Sequence, residues 1–289
     1  GDAKAHQRND GLTMHTTEEL IDLALKEDIG AGDITTDNII PAELSGIGII
    51  VAKQDLVVAG LQIAEKVFKA LEPAAGLADS VKDGDRVGPG ATVATFEGSL
   101  RTLLKGERTA LNFMQRLSGI ATQTRAFVQT VSGTPAKLVD TRKTTPGWRV
   151  LEKYAVRVGG GGNHRMGLYD GVLIKDNHIA VAGGILQAVK QVRQAISHLV
   201  KVEVETTGFE EVREALEAGA DIIMLDNMDL DQILQAVKMI DRRALVEVSG
   251  GITRDRLRDL ARSGVDLISI GALTHSAVAV DLSMRITKT

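Results

Sequence analysis

The sequence predicts an α/β protein: a parallel barrel of TIM type in its second part, preceded by a smaller α+β segment. Two observations carry this. After Gly133, short β-rich runs alternate with amphipathic helical runs about 20–35 residues apart, the spacing of βα units. Polar and charged residues gather at the ends of those β runs, where such a barrel builds its active site. The same alternation also suits a doubly wound sheet, and the placement of the polar residues favours the barrel.

The elements follow in order. A first helix is expected over Thr17–Asp28, because Thr16 and Glu19 have capping-box spacing and Leu20, Ile21, Ala24 and Leu25 form an apolar face. Strand-like runs GIGIIVAK (46–53) and LVVAG (56–60) precede a short helix at Gln62–Leu71. VKDGDRVGPGATVATFEG (81–98) is turn-rich, with strands around its Asp-Gly and Pro-Gly pairs. Two helices fill Leu100–Val131. The repeating part then offers strands KLVD (137–140), GVLIK (171–175), VKVEVE (200–205), DIIML (221–225), ALVEV (244–248) and DLISI (266–270). Between them lie helices Trp148–Val158, Ile185–Ile196, Phe209–Ala218, Leu230–Ile240 and Arg254–Arg262.

Composition limits what such a fold can do. With 289 residues, 44% hydrophobic and 25% charged, the chain can bury a sizeable core in one large domain or about two ordinary ones. Aromatics are 3%, so aliphatic side chains and alanine must do most of the packing. There is no cysteine, which removes disulfides, thiolate catalysis and thiolate-ligated metals. No apolar run approaches the roughly 20 residues of a membrane span, and the polar start GDAKAHQRND lacks the core of a signal peptide. Residues 1–14 read as a disordered tail, and a cytoplasmic protein with no membrane partner is expected. The net charge of −4 gives no reason to expect nucleic acid. Charge is uneven, however. Between Asp140 and His178 stand seven cations and four anions, the balance of a pocket for a polyanionic small molecule or of solvated helix faces.

The predicted strand ends carry the chemistry. They run into Asp140-Thr141-Arg142-Lys143, Lys175-Asp176-Asn177-His178, Glu203 and Glu205, Asp226-Asn227, Ser249-Gly250-Gly251, and Ser269-Ile270-Gly271. The last two segments let backbone N–H groups approach a phosphate, with helix N-termini behind them. No Walker A sequence or Rossmann-type GxGxxG is present, so a mononucleotide or sugar phosphate fits better than ATP or a dinucleotide. Arg142, Lys143, Arg165 and Lys175, with His164, could converge in one mouth, where arginine forks match planar carboxylates. Glu205 and Asp226 could hold a ribose hydroxyl, bind Mg²⁺ or stabilise a cationic transition state; they could equally pair with those same cations. Asn163-His164 has no HExxH partner and no metal-ligand spacing, so no zinc site is expected.

These segments resemble a known family. TRKTTPG (141–147), LEKYAVRVGGGGNHRMGLYDGVLIKDNH (151–178), VEVE (202–205), IIMLDNM (222–228), EVSGGI (247–252) and ISIGALTHS (268–276), with GERTALNFMQRLSGIAT (106–122) before them, are similar to quinolinate phosphoribosyltransferase, the decarboxylating nicotinate-nucleotide pyrophosphorylase. The resemblance covers nearly the whole chain after about residue 17. It implies an N-terminal α/β sandwich (15–118, joined by 275–289) and an incomplete TIM-like α/β barrel (119–274). It also implies a homodimer, or a hexamer built from dimers, in which Arg108 enters the partner's site. Arg108, Arg142, His164, Arg165 and Lys175 would surround the two quinolinate carboxylates, with Thr141 beside them. Lys143 would sit near the pyrophosphate or reacting centre, and Glu205 and Asp226 at the ribose hydroxyls and the metal. Ser249, Gly250, Gly251, Ser269, Ile270 and Gly271 would hold the 5-phosphate. The donor would be phosphoribosyl pyrophosphate, with Mg²⁺ carried mainly by that substrate.

Two rival readings have their own discriminators. A related transferase acting on nicotinate would have one carboxylate to bind, which would leave part of the cation set unpaired. The run DGDRVGPGATVATFEG (83–98) also resembles the hairpins of biotinyl and lipoyl carriers. It contains no lysine to modify, the nearest upstream being Lys82.

Overall fold

The computed structural model describes residues 9–289, with side chains from residue 17 onward. Residues 1–8 of the expected tail lie outside the described residues, and the chain is helical from Asn9.

The chain divides into two compact units. Of the described residues, the first comprises 9–124, 145–160 and 276–289. It opens with α1 (Asn9–Ile29) and α2 (Thr36–Ile39). Helix α1 continues through Thr16, so the predicted capping box lies inside the helix and not at its start. There follow β1 (Ser45–Ala52), β2 (Leu56–Val57), α3 (Leu61–Leu71), β3 (Gly76–Ser80), β4 (Arg86–Val87), β5 (Thr92–Ser99) and α4 (Leu100–Thr130). Four strands form an antiparallel sheet in the order β12-β1-β5-β3, where β12 is the C-terminal strand Leu282–Lys288. Strands β2 and β4 pair separately. Leu61, Ala64, Val67 and Phe68 of α3 are buried, and Phe68 meets Phe96 of β5 with ring centroids 4.7 Å apart. The two helices expected over Leu100–Val131 are a single helix of 31 residues. Strands β3 and β12 had no clear signal in the sequence.

The second unit comprises residues 125–144 and 161–275. It holds β6 (Lys137–Val139), β7 (Val172–Ile174), α6 (Asp176–Ala182), α7 (Ile185–Ala195), β8 (Val202–Thr206), α8 (Phe209–Glu217), β9 (Ile222–Asp226), α9 (Leu230–Ile240), β10 (Leu245–Ser249), α10 (Arg254–Arg262), β11 (Leu267–Ser269) and α11 (Ala272–His275). Helix α5 (Arg149–Val158), read from the sequence as a barrel helix, clusters with the first unit.

The six strands are all parallel, in the order β6-β11-β10-β9-β8-β7. Successive strands from β7 to β11 are neighbours, and β6 lies beyond β11. That order has no switch point, so it belongs to a barrel and not to a doubly wound sheet. The ring is open between β6 and β7, where Gly162 makes a lone parallel bridge to Val139. Along β8, Val202 and Val204 are fully buried and alternate with Glu203 and Glu205, as the two-residue period of a strand requires. Ile223 and Leu225 of β9 and Val246 and Val248 of β10 repeat the pattern.

Candidate active site

The C-terminal ends of the barrel strands enclose a cavity of about 770 Å³. That volume suits a small-molecule substrate pair. Its walls include Thr141, Arg142, Lys143, His164, Arg165, Lys175, Glu205, Asp226, Ser249, Gly250, Gly251, Ser269, Ile270 and Gly271. Fourteen of the fifteen residues given a binding role from the sequence therefore share one cavity within the second unit, whereas Asp140, Asp176, Asn177, His178 and Glu203, also named at strand ends, are not among its lining residues. The fifteenth, Arg108, is exposed on α4 in the first unit and is not among the lining residues. The cavity is also lined by Asn227, named at a strand end but given no role, and by Leu173, Met224, Ile252, Thr253, Ala272 and His275, which the sequence reading did not single out. His275 had a usable signal, since it stands in the run 268–276 that carries the family resemblance.

One side of the cavity is cationic. The Arg165 guanidinium donates from an Nη to the Gly171 carbonyl at 3.0 Å. Its Nε–H is buried and has no hydrogen-bond partner among the described residues. Burial, and next the charge of Arg142, lower its proton affinity, partly offset by Glu203 and Asp170. A buried donor on a cation, facing a second cation, calls for an anion to complete it. Lys175 pairs with Glu205, Nζ to Oε2 2.5 Å. In this state, then, Glu205 takes the role of a partner to the cation set. Asp226 accepts from Asn227 Nδ2 at 2.7 Å.

The other side is built from backbone. Lys143 is fixed through both of its backbone polar groups: its N–H donates to Thr141 Oγ1 at 3.1 Å, and its carbonyl accepts from the Thr274 hydroxyl at 2.8 Å. Its side chain runs over Gly271, where a Cβ would come within 2.9 Å of Lys143 Cδ. Gly250 has φ +90°, and a Cβ there would lie 2.2 Å from Asn227 Oδ1. Any other residue at 250 would thus be strained and would displace Asn227. The segment leads through Thr253 into the N-terminus of α10, whose free N–H groups suit an anion.

The floor is polar and closed. Asp140, fully buried, accepts from Asn163 Nδ2 at 2.6 Å and from the His164 amide at 2.9 Å. His164 Nε2 lies 3.0 Å from Glu203 Oε2 and 3.7 Å from Glu247 Oε1. Burial, and next the charge of Glu203, push the Glu247 carboxyl up to about 7, with a hydrogen bond between the two carboxyls. Neither glutamate lines the cavity. The three residues bring donor atoms within 4.8 Å of one another, a grouping that the sequence reading did not assemble.

Fold and floor, cation wall and glycine wall together define an α/β-barrel enzyme for anionic small molecules. Residues 33–118 match the N-terminal domain, and residues 120–285 the C-terminal domain, of quinolinate phosphoribosyl transferase. The chain belongs to that family. It is 47% identical over 270 residues to a probable nicotinate-nucleotide pyrophosphorylase (carboxylating) of Bacillus subtilis, covering 93% of each chain. It is 42% identical over 294 residues to the chloroplastic nicotinate-nucleotide pyrophosphorylase (carboxylating) of Arabidopsis thaliana, covering 94% of this chain and 84% of that one. The crystal structure of NadC from Streptococcus pyogenes superposes with a TM-score of 0.91 at 41% identity, covering 95% of this chain and 98% of that one. Among the described residues no helix is long and apolar enough to cross a membrane.

Proposed function

We propose that the chain transfers the phosphoribosyl group of phosphoribosyl pyrophosphate to quinolinate and releases CO₂, forming nicotinate mononucleotide for the synthesis of NAD. The observation that carries this reading is the buried, partnerless Arg165 Nε–H beside Arg142, in a cavity whose other wall is a pair of glycine segments. A pyridine dicarboxylate answers the first feature and a 5-phosphate the second. Family membership and the named relatives agree with it.

In this reading Arg142, Arg165 and Lys175 hold the two carboxylates and aim the pyridine nitrogen at the anomeric carbon. Segments 249–251 and 269–271 hold the 5-phosphate through backbone N–H groups. The C–O bond to pyrophosphate breaks as positive charge builds on the ribose, and Glu205 and Asp226 stabilise that charge. Lys143 stabilises the departing pyrophosphate. The nitrogen lone pair forms the new C–N bond. The C2 carboxylate then leaves as CO₂, its bonding electrons drawn toward the pyridinium, and C2 takes a proton from solvent. Glu205 and Asp226 are hard oxygen donors on the same cavity wall and suit Mg²⁺ as its protein ligands. When bound with the substrate, Mg²⁺ would neutralise pyrophosphate charge. The enzyme works in this reading as a cytoplasmic homodimer, or a hexamer of such dimers, with Arg108 reaching the partner's cavity.

Calorimetric titration tests the two-carboxylate claim. Quinolinate is expected to bind at least about tenfold tighter than nicotinate, since one lost charged contact is worth about 1.5–3 kcal/mol. Equal affinities would remove the second carboxylate from the reading.

A further inference from the structure

The floor contains a group that the reaction above does not use. Glu203 and Glu247 project from β8 and β10, are 4% and 1% exposed, and lie outside the cavity lining. Each has one oxygen, Oε1, buried without a hydrogen-bond partner among the described residues. What they face is the His164 ring. Its Nδ1 accepts the main-chain N–H of Arg165 at 2.8 Å. A nitrogen that accepts cannot carry the proton, so the proton sits on Nε2, which donates to Glu203 at 3.0 Å. Both ring nitrogens are thereby engaged by the protein itself.

We propose that Glu203, backed by Glu247, is a positioning residue that locks His164 as the Nε2–H tautomer, so that the ring braces the Arg165 main chain and with it the guanidinium that receives a substrate carboxylate. His164 then serves quinolinate through Arg165 and not as a direct donor. The chain of contacts runs from a barrel strand through the imidazole to residue 165, and every member lies in the second unit. Second-layer carboxylates orient imidazoles in this way because an ordered acceptor fixes both tautomer and ring angle. The consequence for binding rests on the proposed reaction; the tautomer does not.

Two measurements on the full-length enzyme separate these parts. Long-range ¹⁵N–¹H correlation on histidine-labelled enzyme, with the resonance assigned by its loss in His164→Asn, should show His164 protonated at Nε2, with Nδ1 as an acceptor. The pattern should be indifferent to EDTA. An Nδ1–H tautomer, or a pattern that EDTA changes, would overturn the proposal, the latter pointing to a metal held by the same three side chains. In steady-state kinetics Glu203→Leu is expected to raise KM for quinolinate at least about tenfold while KM for phosphoribosyl pyrophosphate stays within about twofold. Glu203→Gln, which keeps an acceptor oxygen, should recover most of the loss. A fall in kcat with both KM values unchanged, or a Gln variant as impaired as the Leu variant, would make Glu203 merely structural and sink the idea. If Glu203→Leu does not fold, the wild-type tautomer and the Gln variant still decide. A wild-type enzyme without turnover would count against the reaction and leave the tautomer result standing.

Discussion

At the scale of single residues, the cation wall behaves as an incomplete binding site. Arg165 is braced by the Gly171 carbonyl yet keeps one buried donor open, and Arg142 stands close enough to lower its proton affinity. Removing Arg142 would relieve that repulsion and also delete a ligand for the substrate anion. The second effect wins, because a charged contact in a desolvated site outweighs a repulsion that the substrate itself cancels. Arg142→Ala is therefore expected to cut quinolinate turnover by at least about 10²-fold, equivalent to about 3 kcal/mol. Initial rates at saturating phosphoribosyl pyrophosphate check this, and near-normal turnover would take Arg142 out of the site. Arg142, Lys143, Lys175 and the site glycines were legible in the sequence because each stands where a predicted strand stops, whereas Arg165 stood out only as one of the cations crowded between Asp140 and His178. The two floor glutamates are instructive. Glu247 stands two residues before Ser249 and Glu203 two before Glu205, so strand parity alone put both on the inward face. Their meeting around His164 needed the strand order β8-β9-β10, which no local pattern carries.

At the scale of elements, parity decides burial, and burial decides protonation. Strand β10 turns Glu247 into the barrel against Glu203, and its carboxyl rises from an ordinary 4.5 to about 7. A carboxyl with a raised native pKa adds stability fully below its unfolded value and loses it as pH climbs through the native one. Between about pH 4.5 and 7 the protein should thus lose stability from this group. Glu247→Gln removes the titration, so the variant should gain on wild type across that window by an amount on the order of 2 kcal/mol. Urea unfolding at pH 5 and pH 8 checks it; a stability difference independent of pH would contradict a buried, titrating Glu247. Element boundaries were legible where the apolar period was regular, as in α9 and α10, both of which match their predicted spans. They failed where tertiary contact overrode local preference. Gly106 and Gly119 weaken the helical signal of residues 100–130, yet α4 runs through both, because each glycine lets a neighbour approach. A Cβ at 119 would lie 2.2 Å from the Val278 carbonyl, and one at 106 would lie 2.8 Å from the Phe68 ring. Strand β12 escaped notice because its partner β1 is more than 200 residues away in sequence.

At the scale of the whole molecule, the strand order gives the barrel an opening between β6 and β7, and residues 161–171, which carry His164 and Arg165, connect the two across it. Arg108 lies on a different unit from the cavity, and the proposed dimer gives it a site to complete. Mixing inactive Arg108→Ala and Arg142→Ala enzymes under exchange should restore roughly a quarter of wild-type activity, because half of a random mixture is heterodimer with one intact site in two. No restoration would confine Arg108 to its own subunit. The central claim is the reaction itself, and its most direct test is to follow CO₂ and nicotinate mononucleotide together, from quinolinate, phosphoribosyl pyrophosphate and Mg²⁺, with nicotinate as a parallel substrate. The account predicts one CO₂ per nucleotide from quinolinate and little product from nicotinate. Turnover of nicotinate at a comparable rate, or nucleotide formed without CO₂, would contradict it.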